Sequence, residues 1–156
     1  MKPLENKKLR KQKIDETLYR GAIESLLNLA ICTRPDIIFA VSKTTRKSKV
    51  PTMEDWENVR RIFRYLKGTM NFGLKFSEKT SIKAFIDADY AGDEENRRST
   101  TWFIVCMGET PTSWYSKLQH CVSILTAEVE YYSLSECCKH CILYLNILKE
   151  LDYNIT

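Results

Sequence analysis

The spacing of apolar residues predicts three helices in the first half of the chain. The first extends from Thr17, as its N-cap, to about Ile31. Its apolar stripe recurs at helical spacing and consists of Leu18, Ala22, Leu26 and Leu29. The second extends from Pro35 to about Arg46, because the N–H of a first helical residue has no helical partner and proline has no N–H.

The third predicted helix follows Thr52, which has Asp55 three positions later in a capping-box-like arrangement. Its apolar stripe consists of Trp56, Val59, Phe63 and Leu66. Gly68 lies where a left-handed C-cap residue would end the helix. Residues 1–16, before the first helix, are rich in lysine and lack periodicity, which is typical of a disordered basic arm.

The period changes after the third helix. Strands are predicted at 73–77, 81–89, 101–108 and 112–117, and the turn-rich sequence between them favours an antiparallel meander. From about Thr126 the helical period returns, in one long helix or in two that are broken near Lys139. Its apolar stripe consists of Ala127, Tyr131, Leu134, Cys138, Cys141, Leu145 and Leu148. Helices that precede a meander indicate an α+β fold.

Length and composition favour a globular protein without a membrane span. The chain of 156 residues is long enough for one compact domain or two small subdomains. No apolar run approaches the roughly 18 residues of a membrane helix, and the charged N-terminus lacks the apolar segment of a secretory signal. The six cysteines are not spaced as a disulfide framework. These features indicate an intracellular protein with free thiols.

The two halves of the chain carry opposite charge. Residues 1–80 contain 18 Lys and Arg against 9 Asp and Glu, a balance of +9. Residues 81–156 contain 6 against 11, a balance of −5, which brings the net charge to +4. A basic half can attract nucleic-acid phosphates, and an acidic half can hold divalent cations. The alternative is two solvated surfaces.

Two aspartates lie near the end of the predicted strand 81–89. Because side chains alternate along a strand, Asp87 and Asp89 are expected on one face, beside the turn that follows. Paired carboxylates on a fixed backbone can bind a hard cation such as Mg²⁺. The alternative is that the aspartates mark the exit from a strand into a turn.

Glu130 lies near the start of the last predicted helix, on the stripe aimed at the sheet. A carboxylate on that stripe suggests a ligand or a partner, because burial of an unpaired charge is costly. The alternative is a favourable interaction with the helix N-terminus, which suits Glu128 better.

Basic side chains occur in two groups. Arg60, Arg64 and Lys67 line one side of the third helix, and Arg97 and Arg98 precede the strand at 101–108. Either group can bind phosphates, or it can be a solvated face beside a buried stripe.

A cluster of cysteines and one histidine occupies residues 137–141. Ligands on one helix cannot surround a tetrahedral zinc ion, and only His120 and Cys121 remain to complete such a site. Small buried thiols are therefore the favoured interpretation.

Three stretches of the chain resemble the Pol polyprotein of copia-type long-terminal-repeat retrotransposons. Residues 19–41 and 51–76 resemble the end of the reverse transcriptase, where the family reads like TRPDI-FAV and RILRYLKGT. Residues 85–137 resemble the start of the ribonuclease H (RNase H) domain, where the family reads like SDADWAGD and SSTEAEY. The motifs follow in family order and cover nearly all of residues 17–151.

The resemblance implies three parts: the basic disordered arm at 1–16, a helical thumb and connection remnant at 17–80, and a truncated RNase H-like βββα unit at 81–156. RNase H carboxylates hold two Mg²⁺ ions and hydrolyse RNA paired to DNA. Asp87 and Glu130 match the catalytic aspartate and glutamate, and Asp89 matches a further aspartate near the metal. The implied partner is an RNA–DNA hybrid or another nucleic acid.

Several residues depart from the family pattern. Trp102 replaces a glycine, Leu125 replaces a serine, and Ala127 replaces the threonine before the glutamate motif. The strand that brings the third catalytic aspartate would follow Tyr153, but the chain stops at Thr156. We therefore expect an incomplete metal site and no useful RNase H activity.

The same missing strand would pair with residues 81–89 in the RNase H fold. We therefore expect that strand to be an exposed edge that favours self-association. Three interpretations of the function follow: an inactive Pol fragment, a host-retained module that binds nucleic acid or protein without chemistry, or a degenerate reading frame with no role.

Overall fold

The structure, a computed structural model, describes residues 14–79, 81–93 and 95–153. Contacts divide the chain into two compact units between Gly73 and Leu74. The first unit is helical, and the second contains a three-stranded antiparallel sheet and a long helix. The predicted α+β fold class is confirmed. Most of the predicted basic arm lies outside the described residues.

Helix α1 spans Glu16–Cys32 and begins earlier than predicted. Its N-cap is Asp15, whose carboxylate accepts a hydrogen bond from the Thr17 N–H at 2.8 Å. The prediction of Thr17 as the cap is wrong, because the aspartate two positions earlier satisfies that donor. The Ile14 N–H donates to the Pro51 carbonyl at 3.1 Å, which ties the start of α1 to the segment before α3.

The buried stripe of α1 differs from the predicted one. The side chains that it buries are Tyr19, Ile23, Leu26 and Ala30. Leu18 is 56% exposed, although the sequence placed it in the core. The Tyr19 hydroxyl donates to the Thr44 carbonyl at 3.0 Å, and its ring lies 6.3 Å from that of Trp56. These contacts turn the Tyr19 side of α1 inward.

The second predicted helix starts with a 3₁₀ turn at Pro35–Ile37 and continues as α2 over Ile38–Thr45. The third, α3, spans Met53–Gly68, and the predicted capping box between Thr52 and Asp55 is confirmed.

Two predictions for α3 are wrong. Its C-cap is Thr69, and Gly68 belongs to the helix. It buries Val59 and Ile62, whereas Phe63 is 43% exposed. Ile62 and its neighbour Phe63 lie on adjacent sides of the helix, so a small rotation of α3 about its axis decides which of the two is buried.

A buried arginine links α1, the 3₁₀ turn and the end of α3. Arg34 is 6% exposed, and its guanidinium donates to both carboxylate oxygens of Asp36 at 2.9 and 2.7 Å. It also donates to the Thr69 carbonyl and hydroxyl at 3.1 and 2.7 Å. The Tyr65 hydroxyl donates to Asp36 at 2.9 Å, and the guanidinium lies 5.8 Å from the rings of Tyr65 and Phe72. A buried charge is tolerable here because four of the five guanidinium N–H groups donate to these acceptors.

The sheet of the second unit has the strand order β1, β2, β3. Strand β1 spans Ile82–Asp89, β2 spans Thr100–Met107 and β3 spans Thr110–Leu118. Both pairings are antiparallel, which confirms the predicted meander, and the β2–β3 register shifts at Val105/Cys106.

The strand predicted at 73–77 is absent from the described sheet. The Thr110 side chain takes the place of ladder partners there: its hydroxyl accepts from the Ser77 N–H at 2.7 Å and donates to the Lys75 carbonyl at 3.0 Å. Gly108 packs against the same segment with a φ of +62°, and a Cβ there would lie 2.6 Å from the Lys79 carbonyl oxygen. Side-chain bonds and this close approach hold the segment as a loop.

Helix α4 spans Thr126–Glu150 without the break considered at Lys139. It buries Val129, Ser133, Cys137 and Leu148. Cys137 packs with Phe103 and Val105 of β2, and Ile82, Ile86, Tyr115 and Cys141 border this core. The predicted stripe is largely wrong, since Tyr131 and Leu134 are 75% and 46% exposed.

We predict that Arg34→Lys lowers the free energy of unfolding by about 2 kcal/mol, because an ammonium cannot reproduce the fork-shaped contacts of the guanidinium. Chemical denaturation followed by circular dichroism measures the loss. Arg20→Lys is the matched control: Arg20 pairs with Glu16 on an exposed surface, where a change under about 0.5 kcal/mol is expected. Equal losses in both variants would contradict the role given to Arg34.

The Arg34 guanidinium also lowers the pKa of the Asp36 carboxyl. A carboxyl whose pKa is lower in the folded chain stabilises the fold at every pH above its pKa in the unfolded chain, which is about 3.9. This stabilisation is lost as the pH falls through the folded-state pKa. Asp36→Asn should therefore destabilise the protein at neutral pH. The difference from the unmodified chain should shrink in acid.

Candidate functional site

Asp87 and Asp89 lie on one face of β1, at the end where the strand runs into its turn, as predicted. In the β1–β2 register they face Trp102 and Thr100 respectively. The neighbouring Ile86 contributes to the core under α4. Because side chains alternate, the two aspartates lie on the sheet face away from α4, and both are exposed.

The turn after β1 positions the Asp89 carboxylate over Gly92. A Cβ added at Gly92 would lie 1.9 Å from Asp89 Oδ2 and 2.6 Å from its Cγ. A side chain at this position would have to move the exposed Asp89 carboxylate aside. Further along the turn, the Ala91 N–H donates to the Ser99 hydroxyl at 3.0 Å. The absence of a side chain at Gly92 thus leaves the space that the Asp89 carboxylate occupies.

The direct cross-strand neighbour of Asp87 is Trp102, the residue that replaces a glycine of the family pattern. Directly opposed side chains have Cβ atoms about 5 Å apart, so the indole lies beside the Asp87 carboxylate. Asp87 Oδ1 itself accepts from the Ala88 N–H at 2.8 Å. The surroundings of Asp87 therefore include a large aromatic side chain.

Glu130 is exposed in the second turn of α4, near the same end of the sheet. Its neighbour Glu128 reaches back, and its Oε2 accepts from the Ile124 and Leu125 N–H groups at 3.0 and 3.5 Å. The prediction that Glu128 serves the helix N-terminus is confirmed. Glu130 belongs to α4, which packs on one face of the sheet, whereas the aspartates lie on the other face.

The residues do not form a ready-made metal cage. In the three described ranges, no group of three or more His, Cys, Asp or Glu side chains lies close enough to hold a metal ion. Asp87, Asp89 and Glu130 are exposed acids near one end of β1, on two faces of the sheet. They do not fit the two-ion centre that the resemblance implies.

The basic side chains of α3 are partly neutralised by Glu57. Arg64 donates to Glu57 Oε1 at 2.7 Å, and Arg60 donates to Oε2 at 3.3 Å. Hydrogen bonding from Arg64 is the main cause that lowers the pKa of Glu57, followed by the charges of Arg60 and Arg64. One carboxylate therefore holds two guanidinium groups side by side on the surface.

The exposed Phe63 lies among these cations. Arg60, Phe63, Arg64 and Lys67 are spaced by three, four and seven positions and share one side of α3. We call this side, with those residues, the basic face. The sequence interpretation missed Phe63 because it assigned that ring to the core.

Arg97 and Arg98 lie in the turn between β1 and β2. Arg97 is exposed with a φ of 55°, and its N–H donates to the Asp93 carbonyl at 2.8 Å. Arg98 is half-buried, and its carbonyl accepts from the Asp93 N–H at 3.1 Å. They belong to the second unit, whereas the basic face belongs to the first.

The cysteine and histidine cluster is part of the core. Cys137 is 1% exposed, and burial raises the pKa of its thiol to about 12, with a smaller contribution from Cys141. The His140 ring lies 4.9 Å from Phe103 and 6.1 Å from Tyr115. The interpretation as small buried side chains is confirmed for Cys137.

Known proteins similar to this chain include transposon polyproteins. The chain is 42% identical over 134 residues to the retrovirus-related Pol polyprotein from transposon TNT 1-94 of Nicotiana tabacum, which covers 85% of the chain and 10% of the relative. It is 40% identical over 144 residues to the retrovirus-related Pol polyprotein from transposon RE1 of Arabidopsis thaliana, which covers 91% of the chain and 10% of the relative. The chain thus spans about a tenth of these polyproteins.

A third similar protein is short. The secreted RxLR effector protein 161 of Plasmopara viticola is 36% identical over 120 residues, which cover 76% of the chain and 84% of the relative. No family model and no solved structure matches the chain. Among the described helices, none is long and apolar enough to cross a membrane.

We predict that Cys137 resists alkylation in the folded chain at neutral pH. A thiol is attacked as its thiolate, and a raised pKa together with burial leaves almost none. Iodoacetamide labelling followed by peptide mass spectrometry should modify the exposed Cys32, Cys121 and Cys138 first. In denaturant all should react. Labelling of Cys137 as fast as that of Cys138 would contradict the core assignment.

Proposed function

The chain belongs to the family of retrovirus-related Pol polyproteins of copia-type transposons, and on this premise we propose that it binds nucleic acid without hydrolysing it. The basic face of α3 supplies the binding surface. The second unit, residues 74–156, corresponds to an RNase H-like domain whose carboxylates form an incomplete metal site. The first unit corresponds to the end of a reverse transcriptase.

The observation that carries the binding proposal is the basic face itself. Arg60, Arg64 and Lys67 are exposed on one side of a single rigid helix, where they can follow a row of phosphates. Phe63 lies among them and offers an aromatic surface to an unpaired base. An RNA–DNA hybrid with a single-stranded end would present both chemistries.

Glu57 competes with a phosphate for the arginines of this surface. Its carboxylate occupies the guanidinium groups of Arg60 and Arg64, and a phosphate must displace it to gain the same donors. Surface pairs of this kind are weak, so the displacement costs little. Removal of the Glu57 charge should nevertheless free both guanidinium groups and strengthen binding.

We predict that the chain binds a fluorescent RNA–DNA hybrid with an affinity that falls steeply with salt. Loss of Arg60 and Arg64 to alanine should reduce the slope of log K against log salt by about 2, because each phosphate contact contributes about 0.9. Glu57→Gln should raise the affinity. Fluorescence anisotropy between low and physiological salt measures all three.

The matched control uses another exposed pair of the first unit, Arg20 with Glu16 on α1. Glu16→Gln changes the net charge by the same amount as Glu57→Gln, and Arg20→Ala removes a paired arginine. Each of these α1 variants should change the slope of log K against log salt by less than half of the change caused by the α3 variants. Salt-independent binding, or equal effects on both helices, would reject the basic face.

Two observations support the absence of hydrolysis. The carboxylates Asp87, Asp89 and Glu130 fall short of the ligand set for two ions about 4 Å apart. Mg²⁺ in particular dehydrates reluctantly, so an open and partial site retains it weakly. Trp102 beside Asp87 adds bulk where the family pattern has a glycine.

We predict no Asp87-dependent cleavage of a labelled RNA–DNA hybrid in the presence of Mg²⁺ or Mn²⁺. The purified chain and its Asp87→Asn variant should give the same trace of background cleavage, with an active RNase H as the positive control. Cleavage that is present in the chain and lost in the variant would overturn the proposal.

A second candidate function is a free-standing module that binds protein and carries out no chemistry. The similarity to a short protein, 84% of which is covered by the match, supports it, because sequence of this kind also occurs outside a long polyprotein. The salt dependence described above separates the candidates. A module that binds protein instead of nucleic acid would show no affinity for the hybrid at low salt.

A further inference from the structure

Strand β1 is open along one edge. β2 pairs with it along the other edge, and no further strand joins it within the part of the chain that the structure describes. Native proteins block open edges with proline, bulges, covering groups or charged side chains, and β1 has only the last of these, in Lys83, Asp87 and Asp89. β1 has no proline and a continuous register over Ile82–Asp89.

The opposite edge of the sheet is blocked in just these ways. β3 contains Pro111, and its register with β2 shifts at Val105/Cys106. The Tyr144 hydroxyl of α4 donates to the Thr112 carbonyl at 3.2 Å. The difference between the two edges makes β1 the one that can accept another strand.

Backbone geometry shows which β1 residues present their groups outward. The Gly108 N–H donates to the Ser81 carbonyl at 2.6 Å, so Ser81 and every second residue after it bond to β2. The residues between them present their N–H and C=O groups to the open edge. These are Ile82, Ala84, Ile86 and Ala88.

We propose that two copies of this chain pair through β1 as antiparallel strands, with Phe85 opposite Phe85 of the second copy. The outward backbone groups then form the ladder, with Ala84 opposite Ile86. Lys83 stands opposite Asp87 of the second copy, and the two-fold symmetry repeats this pair. Lys83, Phe85 and Asp87 share one face, and all three are exposed in the single chain.

Charge complementarity and the aromatic rings together select this register. Lys83 and Asp87 form the closely spaced, non-hydrogen-bonded pairs, whose Cα atoms lie about 4.5 Å apart, so opposite charges attract and like charges repel. A shift of the symmetry centre to Ile86 places Lys83 opposite Asp89 but Phe85 opposite Asp87, and a shift to Ala84 places Lys83 opposite Phe85. Only the central register combines opposed rings with opposite charges.

Helix α4 extends the same interface. Its contacts toward β3 come from His140 and Tyr144, so its other flank points to the open edge of β1. That flank is exposed and largely apolar, with Leu134 at 46% and Leu145 at 36%; it also includes the exposed Cys138 and, one turn before Leu134, the exposed Glu130. These residues belong to the stripe that the sequence analysis assigned to the core.

The distance between paired strands allows the two β1 strands to pair and the two α4 helices to pack against each other in the same dimer. Paired strands lie about 4.8 Å apart, and α4 contacts both β1 and β2. In the symmetric pair, the two α4 helices on the common face would be about 10 Å apart, which is the distance at which helices pack. The open edge and the apolar flank therefore form one continuous surface for a second copy.

The test is the oligomeric state of the full chain by sedimentation velocity over a concentration series. The unmodified chain should dimerise. Lys83→Asp and Asp87→Lys each place like charges opposite one another twice, so each should raise the dimer dissociation constant at least about tenfold. The double variant with both changes restores complementary pairs and should dimerise again.

The decisive experiment measures the oligomeric state of an equimolar mixture of the two single variants. Lys83→Asp carries two acids and Asp87→Lys two bases, so the mixture should form a heterodimer although each variant alone is monomeric. Lys75→Asp, off the strand, is the charge-matched control and should dimerise normally. Circular dichroism confirms that each variant folds. A monomeric unmodified chain, or dimers indifferent to both single changes, would overturn the proposal.

Discussion

The second unit depends on a small buried network of hydroxyl and amide groups between the sheet and α4. The Ser133 hydroxyl donates to the Val129 carbonyl at 2.9 Å, so Thr101, 3.0 Å from it, must donate to Ser133. Gln119 completes the network by donating to Thr101 at 3.1 Å and to Val129 at 3.3 Å. Each proton has an acceptor, and a sliding of α4 by one turn would leave several buried groups unpaired. This network fixes the position of the helix along the sheet, and with it the position of Glu130 relative to the end of β1.

The first turn of α4 is the weak point of that arrangement. Its N-cap position holds Leu125, which has no side-chain acceptor, where the family pattern has a serine. Replacement of a serine cap costs about 1 kcal/mol, and the long reach of Glu128 to the Leu125 N–H, at 3.5 Å, recovers little of it. Glu130 belongs to this poorly capped start of the helix. The departures at 102 and 125 thus affect the immediate surroundings of both residues that match catalytic acids.

Periodicity predicted the elements well and their buried faces poorly. α1 carries two apolar stripes, and nothing local to the helix chooses between Leu18 and Tyr19. The choice comes from the hydrogen bond of Tyr19 to Thr44, 25 positions away. The loop at 73–77 has the composition of a strand but is held by the Thr110 side chain. The Glu57 pairing, in contrast, follows from helical spacing alone. The candidate site residues were chosen from motifs, but the face on which each one lies required the packed structure.

Asp87 is both a candidate metal ligand and a residue of the proposed dimer interface. As a metal ligand it needs an unpaired carboxylate in an open setting, but its neighbour across the strand is Trp102. In the proposed dimer its other neighbour is Lys83 of the second copy, and an ammonium group beside a carboxylate competes with a cation for the same oxygens. Metal binding and strand pairing at β1 would therefore exclude each other. If the dimer forms, the residue that matches the catalytic aspartate serves recognition of a second copy, and this use requires neither a third carboxylate nor an open site.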